Sequence, residues 1–141
     1  MGAIGRQLIL ELWECDPQSL DAPDTVKRAI KEAVSASGAT LVRLLVHRFP
    51  GVGITGIAVL AESHMVVHTW PEYGYAAVDL FTCGESADPA RSVPALRRRF
   101  SPKRVQVTEI ERGAGATPGE AEGRAGRPKR SALPQSESRK Y

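Results

Sequence analysis

No part of the 141-residue chain approaches the length of a membrane-spanning apolar run. Residues 1–12 lack the basic start, apolar stretch and small-residue cleavage site of a secretory signal, so the expected location is the cytoplasm, with no membrane contact. Cysteine is scarce. Cys15 and Cys83 are the whole complement, too few for a disulfide framework, and both read as reduced thiols. Charge of one sign is also missing from most of the chain. Residues 1–112 carry 13 Lys+Arg against 13 Asp+Glu, so the net +3 arises within residues 113–141, which hold 6 basic and 3 acidic side chains. A neutral body argues against a specific nucleic-acid face, and Arg97-Arg98-Arg99 reads as a solvated helix surface.

What remains is a soluble composition, 42% hydrophobic and 25% charged, in a length that suits one domain. Residues 5–14 alternate, with Leu8, Leu10 and Leu12 on one face of a strand. Between Pro23 and Ser37 the apolar spacing turns helical, through Val26, Ile30, Ala33 and Val34, with Gly38 just past the end. Strands follow over 41–49, 54–61, 64–70 and 75–82. A second helix is expected from Asp88-Pro89, kinked or shortened by Pro94, and residues 104–111 form a last strand. The order β-α-β-β-β-β-α-β predicts an α+β fold, an antiparallel sheet with helices packed on one face. Residues 113–141 hold five glycines, three prolines and, beyond Ala, only Leu133 as an aliphatic residue. They read as a disordered basic tail to a 1–112 domain.

Gly51-Val52-Gly53-Ile54-Thr55-Gly56 satisfies the dinucleotide fingerprint G-x-G-x-x-G. That motif needs a helix to start at its glycines, and the β-branched run after it predicts a strand.

The chemistry concentrates in residues 62–84: Glu62-Ser63-His64, then His68-Thr69-Trp70-Pro71-Glu72-Tyr73-Gly74-Tyr75, then Asp79-Leu80-Phe81-Thr82-Cys83-Gly84. With Gly5-Arg6, Trp13-Glu14-Cys15-Asp16, Ser37-Gly38-Ala39-Thr40, His47-Arg48-Phe49 and Glu111-Arg112-Gly113, this pattern resembles the short prokaryotic S-adenosylmethionine decarboxylases across about residues 5–113. The resemblance implies a proenzyme that cuts itself between Glu62 and Ser63 and converts Ser63 into a pyruvoyl cofactor, with no metal. It implies His68 as the processing base, Thr55 as a supporting hydroxyl, and Cys83 as the acid that protonates the product carbanion. An ordinary thiol is protonated at neutral pH and can donate. The pyruvoyl carbonyl forms a Schiff base with the substrate amine and acts as the electron sink, as pyridoxal phosphate does elsewhere. The product is the aminopropyl donor of spermidine synthesis. Gln7 and Thr55 depart from the family's more usual His and Ser.

Strand register adds a reading of its own. The hairpin over Pro71–Gly74 sets Trp70 opposite Tyr75, which brings Cys83 beside the Glu62–Ser63 junction. His68 lies five residues along the strand, roughly 16 Å away. If Glu62–His64 is the preceding turn, Thr55 falls near Trp70–Glu72. Two half-sites follow: Ser63 with Cys83, and Phe49, Thr55, His68, Trp70 and Glu72. Neither is complete, so two chains are expected to meet through their sheets in an αββα sandwich dimer with shared sites. Phe49 and Trp70 suit stacking and a sulfonium cation, and Glu72 suits ribose hydroxyls. A pyruvoyl arginine or ornithine decarboxylase is the alternative. A Cys/His hydrolase, a zinc site on His64, His68 and Cys83, and a non-enzymatic binding protein are weaker readings.

Overall fold

The computed structural model describes residues 2–119. Six strands form one antiparallel sheet: β1 (Gly5–Trp13), β2 (Leu41–Arg48), β3 (Ile54–Leu60), β4 (His64–Trp70), β5 (Tyr75–Cys83) and β6 (Arg104–Arg112). Their order across the sheet is β2-β3-β4-β5-β1-β6, so the first strand is inserted between β5 and β6. Three helices, α1 (Pro17–Leu20), α2 (Pro23–Ser37) and α3 (Val93–Phe100), accompany it. The α+β expectation holds, with helices on one face.

Alternation explains which face is covered. Leu8, Leu10, Leu12, Met65, Val67, Val78 and Leu80 are all buried and meet Val26, Ile30, Ala33 and Val34 of α2 and Leu96 and Phe100 of α3. Pro23 starts α2 without losing a needed N–H, and Gly38 ends it in the left-handed region at φ 78°.

Several local expectations change. Residues 17–20 form a short helix that the apolar pattern did not mark, capped by Asp16. Pro94 shortens the second helix, as its sequence position suggested: α3 begins at Val93 and not at Asp88. The proline sits in the first turn of α3, where a missing N–H is harmless, behind a separate 3-10 turn over Pro89–Ser92. The glycine motif leads into β3 and no helix, as expected. Thr55 pairs directly with His68, not near Trp70–Glu72. The β3–β4 turn is Ala61–Ser63, one residue earlier than assumed. Leu60 donates its N–H to the Ser63 carbonyl at 3.0 Å, and His64 already belongs to β4. Residues 113–119 contain a turn closed by the Ala116 N–H on the Gly113 carbonyl. The rest of the expected tail, 120–141, lies outside the described residues.

Candidate active site

The β3–β4 turn is fixed from outside by Thr40, the residue before β2. The Ala61 N–H donates to the Thr40 carbonyl at 2.9 Å, and the Thr40 N–H donates back to the Glu62 carboxylate at 2.9 Å. This holds the Glu62–Ser63 peptide at one end of the sheet. Cys83, the last residue of β5, donates its thiol to the Glu62 carbonyl oxygen at 2.6 Å. The structure therefore brings Glu62, Ser63 and Cys83 together, as register implied. The Ser63 hydroxyl lies 3.3 Å from Nδ1 of His64. Gly5 makes this closeness possible, because it pairs with Cys83 where a Cβ would sit 2.5 Å from the Thr82 carbonyl oxygen.

The other half-site occupies the opposite end of β3 and β4. Thr55 and His68 face each other across the strands with Oγ1 and Nδ1 2.8 Å apart. Trp70 follows His68 on the same face, with ring centroids 6.1 Å apart, and is 38% exposed. Phe49 lies just past β2, edge-on to His47 at 4.8 Å. Its loop is tied down by Asp21, which accepts the Gly53 N–H at 3.2 Å and the Arg48 guanidinium at 2.9 Å. Those two bonds, the Gly53 N–H first, hold the Asp21 carboxyl below its ordinary range. Glu72 is exposed in the 3-10 turn Pro71–Tyr73. The structure does not bring His68 to Ser63 within one chain: they remain at opposite ends of the same strand.

Two arrangements escaped the sequence reading, although it named Trp70, His64 and Gln7 singly. One is a stack in which Trp13 lies on Tyr75 at 4.6 Å and Tyr75 on Trp70 at 5.4 Å, capped by the Arg104 guanidinium over Trp13. The Tyr75 hydroxyl donates to Glu11, and burial followed by that carboxylate pushes its pKa up to about 12. The other is a polar row through His64, Asp79, Gln7 and Arg112. Both depend on β1 lying beside β5, a pairing no local pattern announces. Among the described residues, no group of three His, Cys, Asp or Glu side chains is placed to hold a metal ion.

Fold and site together define a class: a two-layer α+β protein with a serine at a strand turn, a thiol on the carbonyl before it, and an exposed row of aromatic and imidazole rings at the other end of the sheet. A model of the S-adenosylmethionine decarboxylase family matches residues 6–113. An S-adenosylmethionine decarboxylase proenzyme of Thermomicrobium roseum is 50% identical over 114 residues, covering 80% of this chain and 97% of its own. The proenzyme of Methanococcus aeolicus is 46% identical over 114 residues, with 81% and 97% covered. The crystal structure of the adenosylmethionine decarboxylase from Aquifex aeolicus matches with a TM-score of 0.75 at 29% identity, covering 86% of this chain and 99% of that one. The chain belongs to the S-adenosylmethionine decarboxylase family.

Proposed function

We propose that this chain is a cytoplasmic proenzyme that cuts itself between Glu62 and Ser63, turns Ser63 into a pyruvoyl group, and as a dimer decarboxylates S-adenosylmethionine. The observation that carries this reading is the Cys83 thiol bonded to the carbonyl of Glu62, with the Ser63 hydroxyl on the adjacent residue. Residues 1–112 form the working domain and residues 113–141 an appended basic tail.

The residues fit that group. The Ser63 oxygen attacks the Glu62 carbonyl carbon, and the peptide becomes an ester as the C–N bond breaks. The Cys83 S–H faces the oxygen on which negative charge develops, the position a donor must hold to stabilise it. A base then removes the α-proton of residue 63, and elimination leaves the Glu62 carboxylate. Water replaces the nitrogen of the resulting dehydroalanine, releasing ammonia. His68, steadied by Thr55, is that base, but it serves the Ser63 of a second copy because its own lies at the far end of β4. Once formed, the pyruvoyl group supplies a carbonyl that takes up the substrate amine and an electron sink for loss of the carboxylate. Cys83 stands at the same place to return a proton.

Substrate recognition needs the second half-site. Between the clusters one chain offers an open hollow of about 170 Å³, lined by residues including Glu11, His68, Ala77 and Asp79. Small-molecule sites generally enclose roughly 300–1,000 Å³. The missing wall comes from the partner, whose Phe49 and Trp70 stack on adenine or meet the sulfonium cation while Glu72 accepts from ribose hydroxyls. Relatives named for S-adenosylmethionine favour that substrate over arginine or ornithine.

Intact mass of the purified protein tests the reading. Two fragments, 1–62 and 63–141, are expected, the second blocked to Edman degradation, with carbon dioxide released from S-adenosylmethionine and not from arginine or ornithine. A chain that stays whole and releases no carbon dioxide overturns it.

A further inference from the structure

The first step of self-cleavage needs a destination for the Ser63 hydroxyl proton. His68 does not offer one within the chain, and on the reading above it acts on the α-proton in the next step. The residue after Ser63 does. His64 Nδ1 is 3.3 Å from Ser63 Oγ, and its Nε2 is 3.5 Å from Oδ2 of Asp79. The other Asp79 oxygen accepts from Nε2 of Gln7 at 2.6 Å, and the Gln7 amide oxygen accepts in turn from Arg112. Phe81 lies edge-on to the His64 ring at 5.9 Å, and the Arg112 guanidinium lies over that phenyl ring at 5.3 Å.

We propose that His64 is a catalytic residue of self-cleavage, the base that takes the Ser63 hydroxyl proton in the acyl shift, and that Asp79 is its positioning residue. The inference rests on the proposed self-cleavage and adds to it a residue and a step. The order of donors sets the tautomer. An ionised carboxylate only accepts, so Asp79 favours the imidazole hydrogen on Nε2 and leaves the Nδ1 lone pair toward Ser63. Arg112 fixes the Gln7 amide with its oxygen outward, which turns the NH₂ to Asp79 and leaves the second carboxylate oxygen to His64. The step balances within the chain. The Ser63 proton moves to Nδ1 as Oγ bonds to the Glu62 carbonyl carbon. The imidazolium, beside the Asp79 carboxylate, then gives that proton to the Ser63 nitrogen as the C–N bond breaks. Peptide and ester are isomers, so nothing else is consumed. Labour divides between histidines: His64 acts in its own chain before the ester exists, and His68 acts across the dimer after it.

The test uses full-length wild type, His64→Ala, His64→Asn, Asp79→Asn and His68→Ala chains, with folding checked by thermal melts. His64→Ala is expected to slow self-cleavage roughly 10²–10⁴-fold, the usual contribution of a positioned base. It should resist cleavage by hydroxylamine, since no ester forms, and should regain part of its rate with added imidazole. His68→Ala, stalled one step later, should accumulate a hydroxylamine-sensitive ester. Asp79→Asn should slow the same step without imidazole rescue. If His64→Ala does not fold, His64→Asn takes its place for rate and ester. A folded His64 variant that cleaves at the wild-type rate, or that accumulates the ester, overturns the proposal. A wild-type chain that never cleaves is a different outcome and overturns the proposed function itself.

Discussion

The two thiols show how placement decides what one residue type can do. Cys15 is 5% exposed beneath the Pro71–Gly74 turn, where its N–H meets the Gly74 carbonyl at 2.8 Å. Burial, and secondarily the neighbouring Asp16 carboxylate, push its pKa up to about 11. At pH 8 it holds its proton and is closed to reagents. Cys83 is only half-buried and points at the Glu62 carbonyl. Iodoacetamide at pH 8 is therefore expected to modify Cys83 with loss of decarboxylase activity. Peptide mass mapping should find Cys15 untouched until denaturant is added. Equal labelling of both thiols in the folded protein would contradict this assignment.

At the level of elements, the site depends on how closely β1 approaches β5. A Cβ on Gly5 would meet the Thr82 carbonyl oxygen at 2.5 Å and the Cys83 Cα at 3.2 Å, both backbone atoms that cannot swing aside. Gly56 on β3 is also crowded, but its closest neighbour is Cδ1 of Ile30 at 2.4 Å, the flexible end of a side chain. Gly5→Ala should cost about 1–3 kcal/mol, as overpacking generally does, and should slow self-cleavage by moving Cys83. Gly56→Ala should cost less, because Ile30 can change rotamer, and should leave cleavage intact. Thermal melts and a cleavage time course of the two variants check the contrast.

For the whole molecule, the decisive fact is that, among the described residues, only one face of the sheet carries helices. The other presents Leu45, Ile57, Val59, Trp70 and Ile110, all more than a third exposed, among the site residues. A bare apolar sheet face of this kind favours a partner, and the proposed dimer supplies one, a second copy turned end for end. Ser63→Ala and His68→Ala chains, each unable to process alone, are then expected to complement when co-expressed. The mixed dimer pairs an intact Ser63 with an intact His68 at one of its two sites, so every His68→Ala chain in it, half of all its chains, should be able to cleave. Size-exclusion chromatography should give the mass of two chains. Absence of any cleavage in a verified mixed dimer would put both histidines to work in one chain.

Local pattern alone determined a good deal. Alternation placed Leu8, Leu10 and Leu12 in the core, and Pro23 and Gly38 bounded α2, because those signals act within a few residues. The β4–β5 register was legible because a short turn joins the strands, and that register alone puts Cys83 beside Glu62. The specific string from Glu62 to Gly84 carried the family. The β3–β4 register was misplaced because Ala61-Glu62-Ser63 contains no Gly, Pro, Asn or Asp to mark its turn, and the bonds that settle it come from Thr40, 22 residues away. The insertion of β1 between β5 and β6 had no local signature. Gln7 reaches Asp79 across 72 residues and Arg112 across 105. Such contacts form only when the sheet closes, so only the tertiary structure could show that His64 is held on both sides, by Ser63 and by Asp79. Sequence determined the reactive residues. The fold decided which of them touch, since touching depends on strands that meet far apart along the chain.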